Sequence, residues 1–385
     1  MNKLKIDQEA IKILNQKKIM QLLYRNKELT KQDIAKTLKV SIPTVITNVN
    51  EIIQQGFLEE SGVGESSGGR KPVIVRFLPN SRYSIGVCIT KEQVRIILTN
   101  LNFDIIAEKR FNMPESIMDI EALISEINRE VENIISENKI PKDKILGIGF
   151  SLPGTVDEEK LLLKNAANIN LKNISFKAFE ANFEFPLYIE NEANASADAE
   201  AFINFNSVGN SLVFISITEG VGAGIIIGEN IYNGFNKGAG EFGHMTIVKG
   251  GKKCNCGNKG CWELYASNKA LSNEFKKAYN NKNMTLSQFF KISREDTKAK
   301  EILDNYLDYL AEGIKNIILI LDPENIILGG EICNYKNIIE TDLKNKIFKE
   351  SIFLDEKDCK IFFSDLNENA SIFGAALLPM KKLFY

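Results

Sequence analysis

Proline is scarce in this chain, 9 residues in 385, and neither charge dominates, with 48 Lys and Arg against 50 Asp and Glu. With 44% hydrophobic and 25% charged residues, the composition excludes a collagen-like, elastic or mostly disordered polymer. A long apolar run is also missing. The longest stretch without a charged side chain lies between Glu200 and Glu219, where Asn204, Asn206, Ser207, Asn210, Ser211 and Ser216 make it too polar for a bilayer span. The first residues, MNKLKIDQEAIKILNQKK, place charges where a secretory leader has its apolar core, so the expected compartment is the cytoplasm. Six cysteines there predict no disulfide framework. A length of 385 exceeds one compact core and predicts two or three domains.

Charge is uneven along the chain. Residues 1–80 hold 13 Lys and Arg against 8 Asp and Glu, and the remainder 35 against 42, so a basic head precedes an acidic body. In the head, Ile11, Leu14, Ile19, Leu22 and Leu23 predict an amphipathic helix over 8–25. Thr30, with Asp33 three residues on, predicts the cap of a second helix bearing Ile34, Ala35 and Leu38. Ser41 then caps a third, with Pro43 in its first turn and Val45, Val49, Ile52 and Ile53 in helical period to Gln55. Gly56 ends it, Phe57 and Leu58 begin a strand, a Gly/Ser loop covers 62–69, and Val73, Val75 and Phe77 alternate as the return. The pattern is a winged helix-turn-helix, mainly α. Its third helix would offer Ser41, Pro43, Thr44, Thr47 and Asn48 to double-stranded DNA, and Arg70 and Lys71 would reach phosphate or the minor groove from the wing. A module for protein contacts is the alternative.

The body alternates strands and helices: strands over 84–89, 94–100 and 105–111, a helix over 119–138 and a strand over 145–151. A second series follows with strands at 211–218, 223–228 and 229–232 and helices near 299–321, 336–350 and 370–380. Two related α/β lobes with a ligand cleft between them is the economical reading. The chain's one histidine, His244, stands ten residues before Cys254, which is followed by Cys256 and Cys261. Three thiolates and an imidazole are the four ligands of a tetrahedral zinc, and a fully protein-coordinated ion has no position for a catalytic water, so one structural Zn²⁺ per chain is expected. The alternative is a buried histidine beside unligated thiols.

Glu241-Phe-Gly-His244, the cysteine cluster and Cys261-Trp-Glu263 resemble the signature of the ROK family. That family groups sugar-responsive repressors and sugar kinases of the ribonuclease-H-like, actin- or hexokinase-type ATPase fold. The head, the wing sequence Ser-Ser-Gly-Gly-Arg-Lys-Pro at 66–72 and Cys-Trp-Glu-Leu-Tyr-Ala-Ser at 261–267 are most similar to its xylose-responsive repressor branch. The resemblance implies a winged head over 1–80, a first lobe over 81–200 to which the C-terminal helix returns, and a second lobe with the zinc loop over 201–385. It implies a monosaccharide effector, xylose or glucose, held by Asn168, Asn191, Glu192, Glu241, His244 and Glu263, a set of carboxylates and amides suited to a ring of hydroxyls.

The departures bear on catalysis. Kinases of the family open the first lobe with an Asp and a paired-Gly phosphate loop, whereas this chain has Ser84-Ile-Gly-Val-Cys-Ile-Thr-Lys91, with Val87 and Cys88 in those places. Their catalytic Asp is Glu192 here, and an added methylene misplaces a base that must sit in line. Gly220-Val-Gly-Ala-Gly224 and Gly329-Gly330 keep the glycines of the nucleotide side, preceded by Glu219. The expectation is no enzyme but a homodimer, or dimer of dimers, released from operator DNA by sugar; the alternative is a sugar kinase with residual ATP-dependent activity.

Overall fold

The computed structural model describes residues 8–63, 73–113, 120–166, 169–204, 211–228, 230–349 and 352–384. Arg70, Lys71 and Asn168 lie outside them. Contacts divide the chain into two compact units, Met1–Phe150 with Ser175–Tyr188 and Ala375–Tyr385, and Ser151–Ile174 with Ile189–Gly374. The head thus shares a unit with the first large sheet, and the division falls after residue 150.

In the head, α1 (Gln8–Asn26), α2 (Lys31–Leu38) and α3 (Ile42–Gln54) precede the wing strands β2 (Leu58–Val63) and β3 (Val73–Phe77). Both expected caps form: the Asp33 amide donates to Thr30 Oγ1 at 3.1 Å and the Thr44 amide to Ser41 Oγ at 3.3 Å. Lys39, with φ +53, turns the chain out of α2. A three-residue strand, β1 (Glu28–Thr30), adds to β3 and gives the order β1-β3-β2. Ile19, Leu23, Ile34, Val45, Val49, Val75 and Phe77 are fully or almost fully buried. Ile11 and Leu14, expected on the buried face of α1, are exposed. The first half of α1 is tied to α3 by polar groups, with Lys12 Nζ and Gln16 Nε2 each 2.8 Å from Glu51 Oε2, and only from Ile19 onward does the helix enter the core.

The body repeats one topology. The first sheet is built from β4 (Tyr83–Ile89), β5 (Gln93–Asn100), β6 (Ile105–Asn112), β7 (Ile145–Leu152) and β11 (Leu187–Asn191), in the order β11-β7-β4-β5-β6. Helix α4 (Ile120–Glu137) buries Leu123, Ile127, Val131 and Ile134 at helical spacing. The second sheet is built from β12 (Ser211–Ile217), β13 (Val221–Ile227), β14 (Asn230–Ile231), β15 (Asn325–Gly329) and β16 (Lys360–Phe363), in the order β14-β13-β12-β15-β16. In each sheet the first strand of the series is central, with the second and third on one side and the fourth and fifth on the other. The first three strands pair antiparallel in both, and in the second sheet β15 and β16 run parallel to β12. A small sheet of β8 (Thr155–Asp157), β9 (Leu162–Ala166) and β10 (Leu171–Ser175) lies outside both.

Helix α5 (Glu192–Ile203) is buried along almost its whole length, and alanines at 193, 195, 197 and 199 let it lie close to β13. A Cβ on Gly224 of β13 would stand 2.5 Å from the Ala193 carbonyl oxygen, so only glycine permits that approach. Among the described residues no helix is long and apolar enough to cross a membrane.

Candidate functional site

The metal-ligand cluster forms because a loop folds back on its own start. His244 closes a short turn, Phe242–His244, and isolated bridges pair Thr246 with Cys261 and Lys253 with Lys259. Gly260, with φ +82, makes the return: its amide donates to the Lys252 carbonyl at 2.8 Å, and a Cβ would lie 1.8 Å from the Val248 carbonyl oxygen. The ligand atoms of His244, Cys254, Cys256 and Cys261 all come within 4.8 Å of one another. His244 Nδ1 stands 3.7 Å from Cys254 Sγ, and Cys256 Sγ 3.6 Å from Cys261 Sγ. A tetrahedral ion with metal–sulfur bonds of about 2.3 Å sets its sulfurs about 3.8 Å apart, so the cage has the size and the soft donors such an ion needs. Burial pushes the Cys254 thiol up to about 12 and raises that of Cys261, and a bound dication would offset this by stabilising thiolate.

Trp262 anchors the far end of the loop. It is wholly buried and its Nε1 donates to the Tyr309 carbonyl at 2.8 Å. Its position fixes Glu263, whose Oε1 lies 3.1 Å from Cys254 Sγ and 3.4 Å from His244 Nδ1. The other ring nitrogen, Nε2, lies 3.9 Å from Glu241 Oε2.

Glu241 opens onto a small polar cleft within the second unit. Gly154, Thr155, Asn191, Glu192 and Asn194 line it from one side, and Lys237, Gly240 and Glu241 from the segment after β14. Asn191 caps α5: its Oδ1 accepts from the amides of Ala193 at 2.8 Å and Asn194 at 3.1 Å, while its Nδ2 donates to the Gly154 carbonyl at 2.7 Å. Glu192 follows in the first turn, half-buried along the cleft, and loss of solvation pushes its carboxyl to about 7. Of the residues expected to hold sugar, Asn191, Glu192 and Glu241 therefore line one cleft. His244 and Glu263 stand at the metal cage, with His244 facing Glu241, and Asn168 lies outside the described residues.

Two cleft residues have no flag in the sequence. Asn194 Nδ2 donates to Glu190 Oε1 at 3.2 Å and to Asn233 Oδ1 at 2.9 Å, and Asn233 Nδ2 donates to Glu158 Oε1 at 3.1 Å. Lys237, left-handed with φ +60, donates to Glu158 Oε1 at 2.7 Å and Glu159 Oε1 at 2.9 Å, and these carboxylates raise its pKa. The segment 232–241, which carries Glu241, is thereby strapped to the β8–β9 hairpin. A lysine and an asparagine are ordinary surface residues by type, and only the folded strap brings them to the cleft.

On α3 the polar face differs from expectation. Asn48 is 3% exposed, because positions 45, 48, 49 and 52 form one buried stripe, and its Nδ2 donates to the Thr44 carbonyl at 2.8 Å. It is not offered to DNA. Ser41 and Thr44 hydrogen-bond each other at 2.7 Å, and Thr47 Oγ1 donates to the Pro43 carbonyl at 3.1 Å. Ile42 and Ile46 are exposed beside them.

The stretch that would hold phosphate in the first lobe is a closed hairpin. Val87 and Cys88 are buried, the Thr90 amide and hydroxyl both donate to the Gln93 carbonyl at 3.0 Å, and the Gln93 amide donates back to Thr90 Oγ1 at 3.1 Å. In the second lobe Gly222 and Gly224 lie within β13, facing Ala193 of α5, and packing requires glycine at Gly224 but not at Gly222, where a Cβ would stand 3.4 Å from that of Ala193.

A DNA-binding head and a body of two matching α/β sheets, with a metal-ligand cluster beside a polar cleft, define the class of protein. The chain belongs to the ROK family, whose match covers residues 84–382, and residues 14–59 match the winged helix-turn-helix DNA-binding family. It is 31% identical to a xylose repressor of Bacillus spizizenii over 97% of each chain. Among solved structures, it resembles a ROK family transcriptional regulator, a homolog of the E. coli MLC protein, with TM-score 0.82, 24% identity and 97% of both chains covered. It also resembles a ROK family glucokinase from Streptomyces griseus in complex with glucose and AMPPNP, with TM-score 0.68, 23% identity, and 78% of this chain and 99% of that one covered.

Proposed function

We propose that the chain is a sugar-responsive, DNA-binding transcriptional repressor that leaves its operator when a monosaccharide, xylose in the first instance, occupies the cleft lined by Asn191, Glu192 and Glu241. The observation that carries this is the near full-length similarity, head included, to a xylose repressor. Residues 1–80 bind DNA, with Ser41, Pro43, Thr44 and Thr47 on α3 and Arg70 and Lys71 on the wing, and the lobes over 81–200 and 201–385 bind sugar. Asn168 completes the sugar contacts with His244 and Glu263. The protein works in the cytoplasm as a homodimer on a palindromic site, the arrangement in which two half-sites one helical turn apart face the same symmetric surface.

One Zn²⁺ would be held by His244, Cys254, Cys256 and Cys261, supplying a rigid centre rather than reaction chemistry. Through it His244 keeps one nitrogen for Glu241 and the sugar, and Glu263 is held beside the ligand cage. The chain is not a kinase: the closed Thr90 hairpin, the buried Val87 and Cys88 and the substitution of Glu192 for an acid one methylene shorter all oppose phosphoryl transfer. Likeness to a glucokinase keeps that second reading open to measurement.

The test is operator binding by the purified protein on its own upstream intergenic DNA, titrated with xylose and then glucose at fixed salt. A coupling of about 3 kcal/mol appears as roughly a 150-fold loss of affinity. Tight binding unmoved by any sugar overturns the effector mechanism, and ATP-dependent phosphorylation of either sugar restores the kinase reading.

A further inference from the structure

The outward face of α3 carries two isoleucines among exposed Ser41, Thr47 and Asn50. Ile42 is 47% exposed and Ile46 40% exposed, four residues apart and so on one face of α3, with Pro43 beside them. The polar neighbours are engaged within the head. Ser41 and Thr44 are bonded to each other, the Thr47 hydroxyl hydrogen goes to a backbone carbonyl, and Asn48 is buried. Nothing in the fold requires large apolar groups at 42 and 46, since the buried stripe of the helix is complete with Val45, Asn48, Val49 and Ile52.

Base edges in the major groove present hydrogen-bond donors and acceptors, with one apolar exception, the C5-methyl group of thymine. An isoleucine pressed on the edge of guanine, cytosine or adenine strips water from polar atoms and returns no partner, whereas on thymine it buries methyl against methyl. We infer that Ile42 and Ile46 are the sequence-reading residues of α3 and that they read thymine methyl groups in each half-site. This goes beyond the repressor reading but rests on its DNA-binding part, and it places the discrimination in hydrophobic contact rather than in the hydroxyls of Ser41, Thr44 and Thr47.

The test uses full-length protein and a duplex enriched by it from a random library. Each thymine of the half-site is replaced in turn by 2′-deoxyuridine, which keeps base pairing and removes only the methyl. Wild type is expected to lose about fourfold in affinity at each contacted position, the worth of one methyl moved out of water. In I46S, and more fully in I42S/I46S, the thymine and deoxyuridine duplexes are expected to bind alike, while affinity for random DNA and the melting temperature hold. I46V is expected to restore most of the thymine preference. An equal thymine-to-uracil ratio in wild type and variants, or no methyl effect in wild type, overturns the inference while leaving DNA binding intact. Failure to enrich any duplex overturns the DNA-binding reading itself.

Discussion

The two five-stranded sheets share one strand order, yet the chemistry gathers around one of them. In the first, the hairpin that joins β4 to β5 is three residues long and spends the groups of Thr90 on itself. In the second, the chain after β14 runs through the strap at 232–241 and the cysteine loop before the next helix, and both Glu241 and the metal cage lie on that insertion. The helices that follow the fifth strands differ likewise. Helix α5 starts with Asn191, Glu192 and Asn194 at the cleft, whereas the C-terminal helix, Ala370–Phe384, starts with Ala370 and Ser371, whose hydroxyl meets that of Ser151 at 2.5 Å. One topology used twice supplies the scaffold, and the candidate site is built from what is inserted into one copy and from the polarity of one helix start.

Removing the metal from the insertion should break the comparison most severely. Chelation, or C254S, is expected to take the metal from one per chain to none and to lower the melting temperature by on the order of 10 °C, because a closed four-ligand site contributes directly to folding. Cys88→Ala, at a buried cysteine of the first sheet, is expected to leave the metal in place and to cost about 1 kcal/mol. Metal analysis with thermal melting of both variants separates the two. Next is G224A, which drives a methyl into the backbone of α5 and is expected to cost about 3 kcal/mol. G238A, which meets nothing within 4 Å, should be near neutral, and denaturant titration of the pair measures the difference.

The strap gives a smaller and more specific effect. K237A frees segment 232–241 from Glu158 and Glu159 and is expected to weaken sugar binding about tenfold by loosening Glu241, with operator affinity in the absence of sugar unchanged. Calorimetric titration with xylose checks this, and K237R should recover most of the loss; equal affinities for K237A and wild type would mean that Glu241 is positioned by the metal cage alone.

What the sequence makes legible follows from what is rare or periodic. The cage stands out because the one histidine falls beside three crowded cysteines, and β4, β5 and α4 stand out by their apolar runs and period. Helix α5 does not, since Glu-Ala-Asn-Ala-Ser-Ala-Asp-Ala-Glu is buried on all sides and so has no amphipathic rhythm. Asn48 is misplaced when its polarity outweighs its period, and Gly224 of β13, read in the sequence beside the phosphate-loop glycines, is required by its contact with α5. Strands β8 to β10 are too short to carry an alternation, and Lys237 acquires its place only from the strap.

The finest test concerns the start of α5. Loss of solvation puts the Glu192 carboxyl at about 7, while in the unfolded chain it titrates at about 4.3. A raised acid favours folding fully below the unfolded value, and that contribution is lost as pH rises through the folded value, since the unfolded chain releases its proton first. Wild type should therefore lose stability relative to E192Q between about pH 4.5 and 7 and run parallel to it above pH 8. Solvent along the open cleft holds the difference to about 1 kcal/mol, or about 2 °C in melting temperature. Ser371, in the first turn of the C-terminal helix, carries no such charge, so S371A should shift all points of the profile equally. Melts of the three proteins across that pH range decide the matter: parallel curves for E192Q and wild type would place the Glu192 carboxylate in full solvent and remove the one electrostatic distinction between the two helix starts.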